Sequence, residues 1–274
     1  MAQLEAQGLV SSLVRFETLF GGRTNRVWKV LGGDNDAVLK LYRAPFDNPL
    51  FRNDAESEAK TLQALKCTGF VPKIRATGAF ESSNWVLYDH APGTPWQEGV
   101  QKVAQLLRTL HESRIKLDAP AGCNGTGDLE AHALRILAKC RTNSKSRMDR
   151  YKPKTYIAPT RDTRLIHGDP VPGNILVSSS GLTLIDWQCP AWGDPCEDLA
   201  IFLSPAMQYI YRGAPLTTAE TDMFLTAYGQ PKIAERYNAL RAWFAWRMAA
   251  YCLWRIENGA LDYSAGFDLE IATL

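Results

Sequence analysis

Two short stretches of the sequence decide the fold: residues 167–174, which read HGDPVPGN, and residues 185–187, which read IDW. They supply a carboxylate at Asp169, an amide at Asn174 and a second carboxylate at Asp186. A carboxylate suits a base that takes the proton of a hydroxyl group, and carboxylate and amide oxygens suit a Mg²⁺ ion held against phosphates. The pattern therefore predicts a site for phosphoryl transfer, with Asp169 as the base and Asn174 and Asp186 as the metal ligands.

The surroundings of Asp169 and Asn174 favour this interpretation. The flanking runs 164–166 (RLI) and 175–177 (ILV) are typical of β-strands. The Asp-x-x-x-x-Asn spacing matches that of the catalytic loop of protein kinases. The alternative is that both side chains merely cap turns. A phosphoryl-transfer site requires further parts in a fixed order along the chain, whereas turn capping does not.

The composition excludes several other classes of function. The 274 residues carry a net charge of +2, which is too small to indicate a nucleic-acid or anionic-membrane partner. No apolar run approaches the roughly 20 residues that span a bilayer, and we expect no secretory signal at the start of the chain. Six scattered cysteines without a Cys-x-x-Cys pair indicate reduced thiols, so we expect a cytoplasmic protein.

Residues 1–90 read as an antiparallel sheet with one helix. We expect strands over 14–20, 26–31, 37–42, 71–80 and 85–89 and a helix over 53–67. Residues 91–95, APGTP, break this pattern, and we place the boundary between two lobes there. The rest, 91–274, reads as helical, with helices over 97–112 and 129–140 and from 197 onward, and a polar connector over 141–164. The predicted fold is α+β, with a small sheet lobe and a larger helical lobe.

Lys40 lies in the third predicted strand between apolar neighbours. Such a lysine is usually just exposed, but the helix that follows offers a glutamate to hold it, as the strand lysine and helix glutamate do in kinases. Glu56 and Glu58 compete for this role. Glu58 is preferred because it shares a helical face with Leu62 and Leu65 and therefore points inward.

Two further segments are expected to contact a nucleotide. Residues 21–25, GGRTN, stand where a kinase covers the phosphates with a glycine turn, although the G-x-G-x-x-G spacing is missing and an ordinary hairpin is the alternative. Tyr88, Asp89 and His90 end the strand that in kinases offers backbone donors and acceptors to adenine. We expect ATP to contact these three residues and Asn25.

With these parts in order, the chain resembles the choline/ethanolamine kinase family within the protein-kinase-like aminoglycoside phosphotransferase superfamily. The resemblance covers nearly the whole length and includes the continuation 193–200, GDPCEDLA. It implies a protein-kinase-like two-lobe fold and a kinase that uses ATP and Mg²⁺. It also implies that Asp198 is a structural acid beneath the site and that His167 braces the catalytic loop.

The C-terminal aromatic residues carry a likeness to choline kinases. Residues 243–246 resemble the Trp-x-x-Trp of that family, and residues 256–263 resemble its Ile-Glu-x-Gly-x-x-Asp-Tyr run. Aromatic faces attract a trimethylammonium group, which has no N–H to donate. A buried helix face is the alternative reading of the same spacing. The resemblance implies a choline cage formed by Trp243, Trp246, Tyr263 and Trp254.

Choline is the preferred acceptor, and phosphocholine and ADP are the expected products. Ethanolamine, thiamine and an aminoglycoside remain alternatives, as does a nucleotide-binding module without activity. Gly168 is more typical of the antibiotic-kinase branch, whereas choline kinases usually have Asn or a similar residue at this position. The acceptor is therefore less tightly defined than the phosphoryl-transfer chemistry.

Overall fold

The computed structural model describes residues 4–5, 7–10, 14–19, 25–32, 35–43 and 47–274. Its first elements are β1 (Arg15–Thr18), β2 (Arg26–Leu31), β3 (Ala37–Leu41), α1 (Ala55–Leu65), β4 (Ile74–Phe80) and β5 (Ser83–Asp89). The strands join in the order β1-β2-β3-β5-β4, and every neighbouring pair is antiparallel. The expected antiparallel sheet and the helix after its third strand are confirmed.

The register of the sheet places Lys40 at its centre, where it pairs with Val27 on β2 and Val86 on β5. Helix α1 begins after Asp54, whose carboxylate accepts a hydrogen bond from the N–H of residue 56 at 3.0 Å. The helix packs against β4 and β5. Its buried face includes Glu58, which is thereby brought to the lysine-bearing strand.

The hairpin between β4 and β5 is tighter than expected. We expected a turn over 81–84, but the strands end at Phe80 and resume at Ser83, so the turn consists of Glu81 and Ser82. Glu81 has a φ of 52°, which lies in the left-handed region that two-residue hairpin turns use. The composition of the segment does not reveal this turn type.

The rest of the chain is mostly helical, as expected. After the short strand β6 (Thr94–Pro95) the helices are α2 (Val100–His111), α3 (Thr126–Ala138), α4 (Thr142–Asp149), α5 (Cys196–Leu203), α6 (Pro205–Arg212), α7 (Thr218–Tyr228), α8 (Pro231–Glu257) and α9 (Tyr263–Ile271). Helix α4 corrects the expectation of a plain connector over 141–164. Its Met148 is fully buried and anchors an otherwise polar helix to the core.

Two small sheets hold the segment that carries Asp169. Strand β7 (Arg164–Ile166) pairs with β10 (Ala191–Gly193), and β8 (Ile175–Ser178) pairs with both β6 and β9 (Gly181–Leu184). Residues 172–174 form a single 3₁₀ turn just before β8. The loop over 167–174 is therefore fixed by a strand at each end.

Helix α8 forms the centre of the helical part. Every residue from Trp243 to Trp254 is buried, and the helix packs against α3, α5 and α9. A helix that is surrounded in this way belongs to the core of a domain. In the part of the chain that the structure describes, no helix has both the length and the apolar character needed to cross a membrane.

Candidate active site

The amino group of Lys40 lies in a buried charge cluster. Its Nζ donates hydrogen bonds to Glu58 Oε2 at 2.7 Å, to Asp186 Oδ1, and to Gln188 Oε1 at 3.3 Å. Glu56, the competitor of Glu58, lies instead on the exposed face of α1. The structure therefore joins the strand lysine to the glutamate that the helical spacing favoured.

Electrostatic interactions keep Lys40 charged inside the protein. Burial alone would lower the pKa of its ammonium group, but the carboxylates of Asp186 and Glu58 outweigh burial and raise that pKa above its ordinary value. Burial raises the pKa of Glu58, against the opposing effect of Lys40. The result is a fixed cation at the wall of the cleft.

Asp169 and Asn174 contact each other across the catalytic loop. Asn174 Nδ2 donates to the backbone oxygen of Asp169 at 2.9 Å and to its Oδ2 at 3.2 Å. The other carboxylate oxygen, Asp169 Oδ1, is buried and has no hydrogen-bond partner among the described residues. Burial, followed by the charge of Asp186, raises the pKa of Asp169 well above its ordinary value. An unpaired carboxylate oxygen is what an incoming hydroxyl group requires of a base.

Asp198 supports this loop from beneath. Its fully buried carboxylate accepts hydrogen bonds from the backbone N–H groups of His167 and Gly168, both at 2.8 Å. The same carboxylate lies 3.0 Å from His111 Nε2, and His111 Nδ1 lies 2.9 Å from the Tyr228 hydroxyl. Asp198 thus ties two consecutive loop residues to the helices below them.

His167 braces the loop from the other side. Its Nε2 donates to the backbone oxygen of Ile185 at 3.0 Å, and its Nδ1 accepts the backbone N–H of Asp169 at 3.2 Å. The ring packs against Trp187 with 4.3 Å between the ring centroids. Burial lowers the pKa of His167, which favours the neutral ring that this donor–acceptor pair requires.

Gly168 is required by the backbone of the loop itself. Its φ is 82°, and a Cβ at this position would overlap the carbonyl oxygen of Cys189. Only glycine avoids both the conformational strain and the overlap. The structure therefore gives a local steric reason for Gly168 that is independent of the acceptor.

Asn174 and Asp186 present oxygens that fit Mg²⁺. Because Asn174 donates through Nδ2, its Oδ1 remains an acceptor, and the Asp186 side chain is 31% exposed at a residue with a left-handed φ of 66°. The described residues contain no cluster of three His, Cys, Asp or Glu side chains that could enclose a metal. This partial donor set suits Mg²⁺, which commonly keeps several waters and binds substrate phosphates.

Tyr88 and His90 line the same cleft, which has a volume of about 460 Å³. Asp89 does not, because its carboxylate pairs with Arg75 at 2.6 Å. The backbone N–H groups of Asp89 and His90 already donate to carbonyl oxygens of neighbouring segments, at 2.8 and 3.0 Å. These two N–H groups are therefore already paired within the protein, and the predicted contact of ATP with Tyr88, Asp89 and His90 stays a prediction.

Asn25 is held beside the Lys40 cluster. The side-chain amides of Asn25 and Asn53 exchange hydrogen bonds of 2.7 and 3.0 Å, and Asn25 Nδ2 lies 3.4 Å from Gln188 Oε1. These contacts tie the start of β2 to the segment before α1. The remainder of the predicted phosphate-covering turn, residues 21–24, lies outside the described residues.

The other end of the cleft, here called the acceptor end, is lined by the helical part of the chain and by the segment before α1. Its residues are Asn48, Phe51, Arg52, Tyr211, Tyr251, Arg255 and Tyr263. The Tyr251 ring meets Phe51 and Tyr263 edge-on, with centroids 5.3 and 5.8 Å apart. Its hydroxyl accepts a hydrogen bond from Asn48 Nδ2 at 3.1 Å.

The sequence interpretation missed Asn48, Phe51, Arg52, Gln188 and Arg255. Residues 47–53 show no periodic pattern that would have placed them at the cleft. Arg255 did carry a signal, because it follows an aromatic residue of the same helix by four positions and therefore shares its face.

The structure does not bring Trp243, Trp246 or Trp254 to the cleft, which corrects the predicted cage. The indole N–H groups of Trp243 and Trp246 donate to backbone oxygens after and within α4, at 3.0 and 2.9 Å. The ring of Trp254 stacks on that of Tyr251, with 5.9 Å between the centroids. Of the four predicted cage residues, Tyr263 lines the cleft. The buried helix face, which was the alternative, describes the three tryptophans.

Several solved structures are similar to this one. A choline/ethanolamine kinase family protein from Mesorhizobium loti gives a TM-score of 0.66 at 17% identity, covering 99% of this chain and 91% of that one. Choline kinase from Cryptosporidium parvum gives 0.65 at 14% identity, covering 97% and 89%. A thermostable mutant of the aminoglycoside phosphotransferase APH(4)-Ia, in ternary complex with ADP and hygromycin B, gives 0.67 at 14% identity, covering 99% and 96%.

These TM-scores show a shared protein-kinase-like fold, which confirms the fold predicted from the sequence. No curated protein sequence matches this chain. A sequence model described as the phosphotransferase enzyme family matches residues 15–243, which is most of the chain. The chain therefore belongs to the phosphotransferase enzyme family.

Proposed function

We propose that this protein is an ATP-dependent kinase that transfers the γ-phosphoryl group of Mg-ATP to a hydroxyl group of a small molecule. One observation carries the proposal: Lys40, Asn174, Asp186 and Asp169, whose Oδ1 has no partner among the described residues, all line one cleft. Phosphoryl transfer depends mainly on positioning and charge neutralisation, and each of these tasks has a residue.

Asp169 is the proposed base. Its Oδ1 accepts the hydrogen bond of the acceptor hydroxyl, and its raised pKa suits it to take a proton near neutral pH. As the hydroxyl oxygen bonds to the γ-phosphorus, the bond from that phosphorus to the β-phosphate oxygen breaks, and the proton passes to Asp169. The products are ADP and a phosphate ester.

Lys40 steadies the phosphates, and its hydrogen bonds to Glu58 and Asp186 fix its direction. Asn174 Oδ1 and Asp186 would hold Mg²⁺, which when bound neutralises phosphate charge. Because the protein orients these groups before substrate arrives, little reorganisation is needed during the reaction.

An amino alcohol is the proposed acceptor, with choline first and ethanolamine and thiamine next. The aromatic rings at the acceptor end support it, since they suit an ammonium group. Two of the similar structures are a choline kinase and a choline/ethanolamine kinase family protein. An aminoglycoside is less favoured because a polycation binds best among several carboxylates. Apart from Asp169 and Asp186, no described acidic residue lines the cleft.

We place this activity in the cytoplasm. The six cysteines are free thiols, and Cys67 is exposed. An oxidising compartment would pair or modify such thiols, whereas the cytoplasm keeps them reduced.

An acceptor screen with the purified protein tests the proposal. ADP release is measured with Mg-ATP and each of choline, ethanolamine, thiamine, aminoglycosides and small sugars. We expect turnover with at least one amino alcohol and a higher Tm in the presence of Mg-ATP. A raised Tm without turnover on any acceptor would indicate a nucleotide-binding module without activity. An unchanged Tm would contradict both ideas.

A further inference from the structure

We propose that the acceptor carries a carboxylate group and that Arg255 binds it. The inference rests on the proposed kinase activity, and it replaces choline as the preferred acceptor by an amino alcohol that also carries an acid group. Three observations carry the inference: the position of Arg255, its lack of an ion-pair partner among the described residues, and a second arginine in the lining of the same cleft.

Arg255 lies one helical turn after Tyr251 on α8 and lines the acceptor end. Its guanidinium group lies over the ring of Tyr263, with Cζ 4.8 Å from the ring centroid. This stacking holds the planar group in one orientation. Its Nε is buried and has no hydrogen-bond partner among the described residues.

Three other arginines in the helical part have little exposure, and each has a carboxylate partner. The pairs are Arg247 with Glu197 at 2.9 Å, Arg236 with Asp194 at 2.6 Å, and Arg212 with Glu220 at 2.9 Å. A guanidinium group removed from water normally keeps such a partner. Arg255 is half-buried, yet no carboxylate within the described ranges pairs with it. A ligand in the cleft is positioned to supply that carboxylate.

Arg52 adds a second positive charge to the lining of the cleft. Its guanidinium group donates to the backbone oxygen of Pro190, and among described side chains it has no carboxylate partner. The acidic residues that line the cleft, Asp169 and Asp186, belong to the phosphoryl-transfer machinery. A cation without an acid group would be repelled by the positive charges of Arg52 and Arg255 in this cleft, whereas a carboxylate would be attracted to them.

A hydroxy amino acid satisfies these groups together. Its hydroxyl group contacts Asp169, and its carboxylate accepts two parallel hydrogen bonds from the guanidinium of Arg255. The rings of Phe51 and Tyr211 line the same cleft and suit its ammonium group. The proposed acceptor is therefore a small zwitterion with a free hydroxyl group.

Two pairs of acceptors test the inference, because the members of each pair differ by one carboxylate. They are ethanolamine with L-serine, and 3-amino-1-propanol with L-homoserine. ADP release at saturating Mg-ATP gives kcat/KM for each compound. We expect the carboxylated member of at least one pair to be favoured by about tenfold or more, which is the scale of one charged hydrogen bond.

Variants of Arg255 test its role directly. Arg255→Gln should lower the preference for the carboxylated acceptor about tenfold, mainly through KM, and Arg255→Lys should restore part of it because the charge remains. Arg241→Gln is the matched control, since Arg241 is an exposed arginine of the same helix that does not line the cleft. The preference should survive in this control.

Several results would overturn the inference. Turnover of choline or ethanolamine without a preference for the carboxylated partners would remove it and leave the proposed kinase standing. Absence of ADP release with all four compounds, while Mg-ATP still raises Tm, would also contradict the inference. A rise in KM for ATP alone in Arg255→Gln would assign this arginine to the nucleotide. Failure of Mg-ATP to raise Tm contradicts the proposed function itself, so the two failures are distinguishable.

Discussion

The two ends of the cleft differ in how their charged groups are satisfied. At the phosphoryl-transfer end, Lys40 is bonded to Glu58 and Asp186, and the carboxylate of Asp169 is bonded to Asn174. At the acceptor end, the guanidinium of Arg255 lies over the ring of Tyr263, and its Nε has no hydrogen-bond partner among the described residues. The first end is held mainly by pairs within the protein, with Asp169 Oδ1 left unpaired among the described residues. At the second end we propose that a ligand supplies the partner of the guanidinium group.

This difference accords with the chemistry of each end. Transfer of a phosphoryl group requires charges that are oriented before the reaction, which internal pairing achieves. Selection of one acceptor requires groups that lose hydrogen bonds when the wrong compound binds. Changes at the phosphoryl-transfer end should therefore alter kcat for every acceptor, whereas changes at the acceptor end should alter the choice between acceptors.

The largest expected effect is that of Asp169→Asn. The amide cannot take the hydroxyl proton, so kcat should fall roughly 10²–10⁴-fold for every acceptor. Tm should stay the same or rise, because the carboxylate is buried and its pKa is raised. Asp89→Asn is the control, since that carboxylate lies on Arg75 outside the cleft, and its ADP release should match the wild type. Near-normal turnover by Asp169→Asn would remove Asp169 as the base.

Trp243→Ala tests whether Trp243 belongs to the core of the domain or to the acceptor end of the cleft. Because Trp243 is 3% exposed and bonded to the backbone outside the cleft, the substitution should lower the free energy of unfolding by about 3–5 kcal/mol. Denaturant unfolding measures this loss. The KM values for acceptor and for ATP should change little and in parallel in the fraction that folds. A selective rise in the acceptor KM at unchanged stability would return Trp243 to the binding site.

The contacts of Lys40 with Glu58 and of Asn174 with Asp169 could be predicted from the sequence because their signals are local. The pairing of Lys40 with Glu58 follows from one strand, one helix and the face on which a helical residue lies. Asp169 and Asn174 lie on one short loop whose spacing is itself the signal. Interactions of this kind can be predicted without knowing how the helices pack.

The acceptor end could not be predicted in the same way, because it depends on the rotation of α8. Aromatic residues at helical spacing produce one pattern whether they face a pocket or the core, and the tryptophans of α8 face the core. Tyr251 and Arg255 occupy the face that borders the cleft. Phe51 reaches the same cleft from a segment without periodicity, through a contact distant in sequence.

Gly168→Ala examines the loop between the two ends. The substitution combines a left-handed φ, which costs an L-residue roughly 1–2 kcal/mol, with overlap between the new Cβ and the Cys189 carbonyl. We expect a loss of about 3 kcal/mol in the free energy of unfolding and a lower kcat. Gly181→Ala is the matched control, because Gly181 also has positive φ but no atom within 4 Å of an added Cβ. Equal losses would show that overlap plays no part.

Gly168 also shows why a family marker needs a structural check. On sequence alone Gly168 is more typical of antibiotic kinases, yet its N–H donates to Asp198 and an added Cβ would meet Cys189. If Gly168→Ala lowers kcat for all acceptors in the same proportion, the residue reports on the phosphoryl-transfer end alone. A change in acceptor preference would instead connect it to the acceptor end.

The smallest expected effect concerns Glu270, which supports the acceptor end from behind. Its carboxylate accepts hydrogen bonds from the Ser204 hydroxyl and, at 3.2 Å, from the N–H of Ala206. These contacts fasten α9, which carries Tyr263, to the start of α6, which carries Tyr211. Burial raises the pKa of Glu270 from 4.5 to about 7, although its hydrogen bonds and Arg241 act in the opposite direction.

Glu270 should therefore make stability fall as pH rises. Between pH 4.5 and about 7 the folded protein holds this proton while the unfolded chain releases it, so folding loses roughly 1–3 kcal/mol across that window and none beyond it. Glu270→Gln keeps an acceptor oxygen for both donors but cannot ionise, so it should be more stable than the wild type at pH 8 and similar at pH 4.5. Tm measured against pH in both proteins shows this.

Glu220→Gln serves as the control for Glu270→Gln. The hydrogen bond from Arg212, followed by that from the Thr217 backbone, lowers the pKa of Glu220, so its replacement should not stabilise the protein at pH 8. If Glu270→Gln also fails to gain stability there, its carboxylate is solvated more than the fold suggests. If Glu270→Gln instead gains stability and raises the KM for the acceptor but not the KM for ATP, the helices behind the cleft affect acceptor binding without affecting ATP binding.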